Sequence, residues 1–291
     1  MRRVVFKVRF LSLVVFAMLA GVWPMAAQAA TAPTLGTAAN FAVLGASTVT
    51  CTGPSVIVGD VGVSPGTSIT GFPPCHHNGA LHAGDAVAAQ AQSDALLAYT
   101  ALVAATCTTN LSTTDLGGQT LSPGVYCFDS SAQLTGTLTL SGAGVYIFQI
   151  GSTITTASDA AVVGSGAVCG NVFWQVGSSA TLGTGTAFVG NILALASITM
   201  NTGATLDGRA IALTGAVTMD TNMVSACAAG TGHGHKKKAA CNQGVGNGPE
   251  GCDPGNSNQG DKSRSNDELI NGISGTGGTP GDPGRQGGNG K

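Results

Sequence analysis

The feature that most limits the possible folds is the stretch of residues 31–229, which carries almost no charge and a great deal of threonine. It contains thirty Thr, eight Asp and one Arg, and it has no Lys or Glu. Ordinary soluble domains have about a quarter charged residues. Because the branched Cβ of Thr suits a pleated surface, this composition favours strands. We therefore expect a mainly β body whose uncharged surface orders water better than it holds ions, nucleotides or DNA.

Short segments within this body recur about every twenty residues, and the stretches between them alternate apolar with hydroxyl side chains. GVYCF at 124–128 returns as GVYIF at 144–148, GNVF at 170–173 returns as GNIL at 190–193, and GRAI follows at 208–211. Alternation places one side of each strand inward and the other outward. A period near twenty with frequent Gly predicts a β-solenoid in which stacked coils bury one another's apolar side chains, rather than a sandwich.

One segment departs from the strand pattern and predicts a single long helix at about residues 85–105. It is rich in Ala and Leu, and Gly84 or Asp85 can cap its start. We expect the helix to lie along one side of the solenoid, and residues 70–77 to cover an end of the stack. The predicted contact stripe has three- or four-residue spacing. It consists of Val87, Ala91, Ala95, Ala98, Leu102 and Ala105.

The two ends of the chain differ from the body. Residues 1–30 have a basic start, an apolar run over 10–22 and a small-residue Ala-Gln-Ala site at 27–29, the pattern of a cleaved secretory signal. Residues 230–291 are dominated by Gly, Asn, Asp, Ser, Lys and Pro, so they can bury little against the entropy of ordering. We predict a signal peptide at 1–30, a β body at 31–229 and a flexible tail at 230–291.

Export makes disulfides the default state of the eight cysteines, although eight Cys allow 105 pairings. No C-x-x-C pair is present, which argues against a zinc ribbon or a thioredoxin-like site. Our guess joins cysteines near in sequence and lets one pair bracket the C-terminal coils. The predicted pairs are Cys51–Cys75, Cys107–Cys127, Cys169–Cys227 and Cys241–Cys252.

Several long motifs occur in an order that resembles the secreted microbial ice-binding protein family known as DUF3494. The resemblance covers residues 35–225. The resemblance implies a right-handed, discontinuous β-helix with a long helix packed alongside, which agrees with the pattern reading. The motifs that carry it are LGTAANFAVL (35–44), VGDVGVSPG (58–66), TGFPP (70–74), the Ala-rich helix, LGGQTLSPGVY (116–126), FQIGS (148–152) and NVFWQVGSSA (171–180).

The same resemblance implies binding to ice crystals through one flat, Thr-rich side of the β-helix, with inhibition of ice growth and recrystallisation. The family marks that side loosely with T-(A/G)-x-(T/N), which occurs at 202–205 in the predicted β-helix and also at 31–34, at the processed end of the body. Related triplets and alternating Thr pairs complete our candidate set. The candidate ice-binding residues are Thr135, Thr137, Thr153, Thr155, Thr184, Thr186, Thr202, Thr205, Thr214 and Thr218.

Other functional classes find little support in the sequence, and we expect no enzyme, cofactor or metal. The eight Asp of the body are scattered and lack an acid–base partner nearby. Arg209 reads as a structural hydrogen-bonding group, and Trp174 as core packing. His76, His77 and His82 form the one cluster that could bind a metal, but their spacing follows no known ligand pattern. The body has no basic stripe for nucleic acid.

The predicted protein is thus a secreted, extracellular monomer whose partner is ice or ordered water, with no membrane contact after signal cleavage. The alternative is an extracellular adhesin or a matrix or surface structural protein without ice activity. Glycan adhesion predicts grooves lined by aromatic or Asp and Asn side chains, whereas ice binding predicts a flat array of Thr with few charges. The composition favours ice binding over adhesion.

Overall fold

A computed structural model describes residues 30–166 and 169–227, together with four strand residues further on. The chain divides into two compact units, Met1–Cys227 and Ala228–Lys291. In the second unit β23 (Leu269–Ile270) pairs antiparallel with β24 (Ile273–Ser274). The predicted signal peptide, the Cys241–Cys252 pair and the rest of the predicted tail lie outside the described residues.

The first unit is built from 22 short strands and one helix. The helix, α1, spans Ala86–Ala104, and two 3₁₀ helices span Gly36–Asn40 and Cys169–Asn171. The strands are β1 (Phe41–Gly45), β2 (Thr48–Thr52), β3 (Val56–Val58), β4 (Asp60–Val63), β5 (Ser68–Thr70), β6 (His76–His77), β7 (Leu81–Ala83), β8 (Thr109–Asn110), β9 (Thr120–Leu121), β10 (Gly124–Phe128), β11 (Ala132–Leu134), β12 (Thr137–Ser141), β13 (Tyr146–Ile150), β14 (Ile154–Thr156), β15 (Ala161–Ser165), β16 (Val172–Val176), β17 (Ala180–Leu182), β18 (Ala187–Ala194), β19 (Ile198–Met200), β20 (Thr205–Ala212), β21 (Val217–Asp220) and β22 (Met223–Ser225).

These strands form a β-helix with three sides, because most coils contribute a strand to each side and the paired strands of neighbouring coils are parallel. Face A consists of β8, β10, β13, β16, the second halves of β18 and β20, and then β1, β4 and β7. Face B consists of β11, β14, β17, β19, β21, β2 and β5. Face C consists of β9, β12, β15, the first halves of β18 and β20, and then β22, β3 and β6. The predicted solenoid with one helix alongside is confirmed.

The stack is discontinuous in sequence, because the last coil of the C-terminal part lies against the first coil of the chain. β20 pairs with β1, β21 with β2, and β22 with β3. The coil of β4, β5 and β6 lies beyond them, so that β5 and β6 are the terminal strands of their sheets. Phe72 and Cys75 of the intervening loop pack against the core there, as expected of an end cap.

The sequence repeat and the structural register differ by two residues in two of the three places. Tyr126 lies opposite Phe148 rather than Tyr146, and Phe173 lies opposite Asn191 rather than Leu193. The GRAI segment is in register, with Gly190 opposite Gly208. Since side chains alternate with a period of two, a shift of two residues keeps every inward position inward. The repeated sequence therefore predicts correctly which residues point inward, although it predicts the wrong partner residues in the neighbouring coil.

Four aromatic rings stack through the centre of three neighbouring coils, since Trp174 and Phe188 belong to the same coil. Ring centroids are 5.4 Å apart between Tyr126 and Phe148, 3.9 Å between Phe148 and Trp174, and 4.7 Å between Trp174 and Phe188. The Trp174 indole is fully buried and donates to the Val189 carbonyl at 3.0 Å. The prediction that Trp174 serves as core packing is confirmed, since no part of its ring reaches the surface.

Helix α1 covers face A and is fixed at both ends. The Asp85 carboxylate caps its start by accepting from the Ala88 N–H at 2.8 Å. At its end the Gln149 amide donates to the carbonyls of Leu102 and Ala105, both at 2.7 Å. These bonds occupy carbonyl groups that a helix C-terminus otherwise leaves without a partner. The helix thus lies along one side of the solenoid, as the sequence predicted.

The predicted contact stripe is right at five of its six positions, because Ala105 also packs against the buried cluster beneath the helix although it is only partly buried. Ala91, Ala95, Ala98 and Leu102 are buried, but Val87 is 49% exposed. Ala88 takes its place, and Tyr99 completes the buried set, with its hydroxyl accepting from the Gln175 amide at 2.9 Å. Ala105 follows the helix as its C-terminal cap. The contact face is rotated because a Tyr can be buried here only beside a polar partner from the sheet.

Three disulfides and one buried cation connect segments that are distant in sequence. The predicted pairs Cys51–Cys75, Cys107–Cys127 and Cys169–Cys227 are confirmed. The Arg209 guanidinium, only 6% exposed, donates to the Ala39 carbonyl at 2.7 Å and to the Cys227 carbonyl at 2.9 Å. Its structural role is therefore confirmed, because it ties both ends of the β body to the same coil.

Asp94 connects the N-terminal 3₁₀ helix to α1 and makes the free energy of unfolding depend on pH. Its carboxylate accepts from the backbone N–H and the hydroxyl of Thr37, both at 2.7 Å, and these bonds hold the pKa of Asp94 below its ordinary value. A carboxyl whose pKa is lowered by folding stabilises the fold above its unfolded pKa and loses that contribution as pH falls. We expect Asp94→Asn to lower the melting temperature at pH 6, and the difference from wild type to shrink between about pH 4 and pH 2.

Thermal melting of both proteins across this pH range measures the effect. Asp159→Asn is the matched control, because its carboxylate is exposed and accepts no hydrogen bond within the part of the chain that the structure describes. A constant gap between wild type and Asp94→Asn at every pH would contradict the assignment.

Candidate functional site

Face B presents the same residue type at the same place in consecutive coils. One outward residue from each of its strands lies in a common column, and six of these seven residues are Thr in register across β14, β17, β19, β21, β2 and β5. Gln133 of β11 continues the column at one end. We call these six residues the threonine ladder. The ladder consists of Thr155, Thr181, Thr199, Thr218, Thr50 and Thr70.

The residues beneath the ladder are mostly apolar and well packed. The inward neighbours in the same strands are fully or almost fully buried, for example Ile198 and Met200 on either side of Thr199, except that Ile69 is only partly buried. Neighbouring strands of a sheet are about 4.7–4.9 Å apart, so six coils place the ladder threonines along roughly 24 Å. Branched side chains have restricted χ1 angles, which keeps the array ordered before anything binds.

The ladder hydroxyls are free, whereas most other threonine hydroxyls near face B are not. Among the residues that the structure describes, none of the six ladder hydroxyls has a hydrogen-bond partner within the protein. All six side chains are partly or fully exposed. Each ladder residue thus offers one methyl and one unpaired hydroxyl to solvent, at a fixed spacing.

A second column, two residues before the ladder, is small and partly tied to the protein. Its hydroxyls mostly serve the coil-to-coil turns: Thr153 bonds the Ser131 hydroxyl at 2.9 Å, and the Ser197 hydroxyl accepts from the Ala216 N–H at 3.1 Å. These short side chains keep face B flat beside the ladder. The column consists of Ser131, Thr153, Ser179, Ser197, Ala216, Thr48 and Ser68.

The structure places only two of the ten predicted threonines, Thr155 and Thr218, on the ladder. Thr153 lies in the column beside it, and Thr214 lies at the corner between faces A and B, where it donates to the Leu195 carbonyl at 2.5 Å. Five others lie away from the middle of face B. Thr135, Thr184 and Thr202 are at the corner between faces B and C, and Thr137 and Thr205 begin strands of face C.

Thr186 is the prediction that the structure contradicts. Its side chain is fully buried, with the hydroxyl 2.7 Å from that of Thr156 and 3.2 Å from the Ala157 carbonyl. A buried hydroxyl needs partners of this kind, and the Thr156–Thr186 pair supplies them. Thr186 therefore cannot contact a ligand at the surface.

The Thr-Gly motif that guided these predictions specifies a turn. Gly203 in the 202–205 motif has a φ of 75°, and Ala204 after it is fully buried. Gly136 and Gly185 occupy the same corner with φ values of 92° and 70°. Because glycine adopts positive φ without steric cost, the Gly of the motif is explained by the chain reversal between faces B and C. The motif marks where the ladder strands end.

Four ladder threonines, Thr181, Thr199, Thr50 and Thr70, were missed by the sequence reading. Their signal was available in part, because each is flanked by apolar residues in an alternating segment such as Ile198-Thr199-Met200. Thr50 and Thr70 could not be added to the same column from sequence, since their coils stack beyond β21 although they precede it in the chain.

Face C is the second open side, and it is more apolar and less regular. Val163, Met223 and Val56 are 44%, 52% and 43% exposed there. In its first column two alanines, Ala161 and Ala187, separate Thr137 from Thr205, and Asp207 interrupts its second. Face C thus lacks the continuous hydroxyl row of face B.

One carboxylate borders the ladder. Asp220 follows Thr218 by two residues in β21 and points to the same side. Hydroxyl hydrogen bonds from Thr202 and Thr221 hold the pKa of Asp220 below its ordinary value, so that it is ionised at neutral pH. Its position makes it the edge of the uncharged surface.

Groups that could hold a metal do not form a ready site. The ligand atoms of Cys169, Asp207 and Cys227 lie within 4.8 Å of one another, but the two sulfurs are bonded to each other. His77 Nδ1 is 2.8 Å from the Gly79 carbonyl, and His82 Nδ1 is 2.7 Å from the Asp85 carboxylate. Within residues 30–166 and 169–227, none of the clustered histidines belongs to a group of three potential ligands.

Helix α1 is the longest described helix, with 19 residues. Among the residues that the structure describes, no helix has both the length and the apolar character needed to cross a membrane.

Comparisons with known proteins agree on one family. The family model described as "Ice-binding-like" matches residues 43–225. An "Ice-binding protein" of Nostoc sp. (strain HG1) is 59% identical over 204 residues, covering 68% of this chain and 76% of that protein. An "Ice-binding protein" of Flavobacterium frigoris (strain PS1) is 34% identical over 208 residues, covering 66% of this chain and 75% of that protein.

Solved structures show the same relationship. An ice-binding protein from an Antarctic biological consortium has a TM-score of 0.67 at 46% identity, covering 70% of this chain and 95% of that one. An ice-binding protein from the Antarctic ascomycete Antarctomyces psychrotrophicus has a TM-score of 0.66 at 42% identity, covering 68% of this chain and 100% of that one. From its sequence and its fold, this chain belongs to the ice-binding-like protein family.

Proposed function

We propose that this protein binds ice through the threonine ladder of face B and thereby inhibits ice growth and recrystallisation. The observation that carries the proposal is the row of six in-register threonines whose hydroxyls have no partner within the described protein. Repeats of about 4.7–4.9 Å along the ladder and roughly 6.5–7 Å between outward positions of one strand lie close to oxygen repeats in ice.

The chemistry of the ladder suits an ordered water surface. Its hydroxyls can join a water lattice, while its methyl groups lie between ordered waters. Because the β-helix is rigid and the χ1 angles are restricted, little entropy is lost when the array meets a crystal. Relatives and solved neighbours named for ice binding support the same function.

The adhesin alternative gains no support from the described surface. Glycan recognition uses exposed aromatic side chains, but the exposed large apolar residues in the described part of the chain are all Val, Leu or Met. The family is named for ice binding rather than for a reaction, and we propose no catalytic role. We further propose that the protein is exported through its N-terminal signal and acts as a monomer, since one copy carries the whole ladder.

Freezing-point hysteresis and recrystallisation inhibition of the purified, oxidised protein test the proposal. We expect activity at micromolar concentration and uptake of fluorescently labelled protein into a growing ice hemisphere. A folded sample without hysteresis, recrystallisation inhibition or uptake would refute ice binding. Adhesion or a purely structural role would then be the better explanation.

A further inference from the structure

Asp220 occupies the outward position two residues beyond the ladder, which among the ladder strands only β21 and β2 are long enough to reach. It is two residues beyond Thr218 in β21, on the same side of the strand, and it is opposite Thr52 of β2. It is the charged residue among the outward positions of the described face B strands, which are otherwise Thr, Ser and Gln. Its neighbour Thr52 would continue the ladder pattern in the next coil.

The hydroxyls around Asp220 are turned toward the protein instead of toward solvent. Those of Thr202 and Thr221 donate to the Asp220 carboxylate, the second at 3.0 Å. That of Thr52 donates to the Met219 carbonyl at 3.1 Å. All three differ from the ladder hydroxyls, which have no partner in the described protein. The free array ends at this column.

An ionised carboxylate also opposes ice contact directly. It holds a strong hydration shell, and removing or reordering that shell has a high free-energy cost. Ice that grew over Asp220 would have to reorder this hydration shell, whereas the Thr218 side chain carries no charge that must be desolvated.

We propose that Asp220 is the boundary residue of the ice-contacting surface at β21 and β2: its carboxylate, with the hydroxyls around it, confines ice contact there to Thr218 and Thr50 of the threonine ladder. This inference rests on ice binding by face B. It has an unusual consequence, because removing the boundary should improve activity, whereas a residue that merely holds the corner together can only reduce it when replaced.

Asp220→Asn is the first test, because asparagine keeps the shape and one acceptor oxygen but removes the charge. We expect roughly a 1.5- to 2-fold larger freezing hysteresis at equal concentration, since the contact surface widens and a charge no longer has to be desolvated. Asp159→Asn is the matched control. It removes the same charge from the turn after β14, where the exposed carboxylate accepts no hydrogen bond from a described hydroxyl, and it should leave hysteresis unchanged.

A second variant keeps the test decisive if the Asn variant is destabilised. Asp220→Thr places Thr at both outward positions of β21, as Thr50 and Thr52 already stand in β2, and its hysteresis should also rise. Unchanged or lower hysteresis in variants with native melting would overturn the boundary role, and unfolding of both variants would assign Asp220 to structure alone. Absence of hysteresis in the wild type would instead refute the proposed function itself.

Discussion

Replacing Thr199 by tyrosine should reduce freezing hysteresis to about a tenth while leaving the protein folded, because surface substitutions away from special features rarely change stability by more than about 0.5 kcal/mol. Thr199 is at the centre of the ladder, between Thr181 and Thr218. A tyrosine ring there would stand above the flat array and hold several coils away from the crystal. Hysteresis and thermal melting of the same sample measure the two effects.

The matched control is Thr205→Tyr on face C. Thr205 is exposed, and its hydroxyl has no partner within the described protein, so the change in size and chemistry is the same. We expect this variant to keep its activity. The opposite pattern, with activity lost in Thr205→Tyr and kept in Thr199→Tyr, would move the binding surface from face B to face C.

Gly208→Ala should cost about 3 kcal/mol or more in free energy of unfolding, because the added methyl has nowhere to go in a packed stack. Gly208 lies opposite Gly190 where β18 and β20 bend from face C to face A. A Cβ on Gly208 would overlap the backbone carbonyl of Gly190. Backbone atoms cannot move aside without breaking the pairing of the two longest strands. Urea unfolding followed by circular dichroism measures the loss.

Gly136→Ala separates this clash from the general cost of replacing a glycine. Gly136 has a φ of 92°, but a Cβ there would meet nothing within 4 Å. We expect a cost of only about 1–2 kcal/mol, the strain of a left-handed conformation for a residue with a side chain. Equal losses in the two variants would show that close packing of Gly208 on Gly190 does not control the stability of the stack.

Much of the fold follows from local pattern. Alternation of apolar and hydroxyl residues predicted the strands, and the Ala-rich run predicted α1. Proximity in sequence predicted the three disulfides of the described body. The failures concern geometry between elements. Val87 was placed in the helix contact and Ala88 left out, because the burial of Tyr99 beside Gln175 rotates the helix in a way that its own residues do not reveal.

The candidate site was less predictable than the fold. A short motif drew attention to Thr202 and Thr184, which belong to turns, because the glycine of the motif is required by the backbone there. The ladder depends on register across coils of unequal length, and in two places the true register differs from the repeated letters by two residues. The residues of a turn can be recognised from the local sequence, whereas the register between strands depends on the packing of the whole stack.

The order of the coils also governs when the ladder can be completed. Thr50 and Thr70 leave the ribosome early, yet their places are beside β21, near the end of the β body. The Thr52 hydroxyl meets the Met219 carbonyl across 167 residues of chain. Contacts between such distant residues form slowly, because a long loop must close before they stabilise anything. A nascent or truncated chain that stops before β21 therefore lacks more than one ladder residue. Its first two coils have no strand to pair with, and Thr50 and Thr70 are separated from the rest of the threonine ladder.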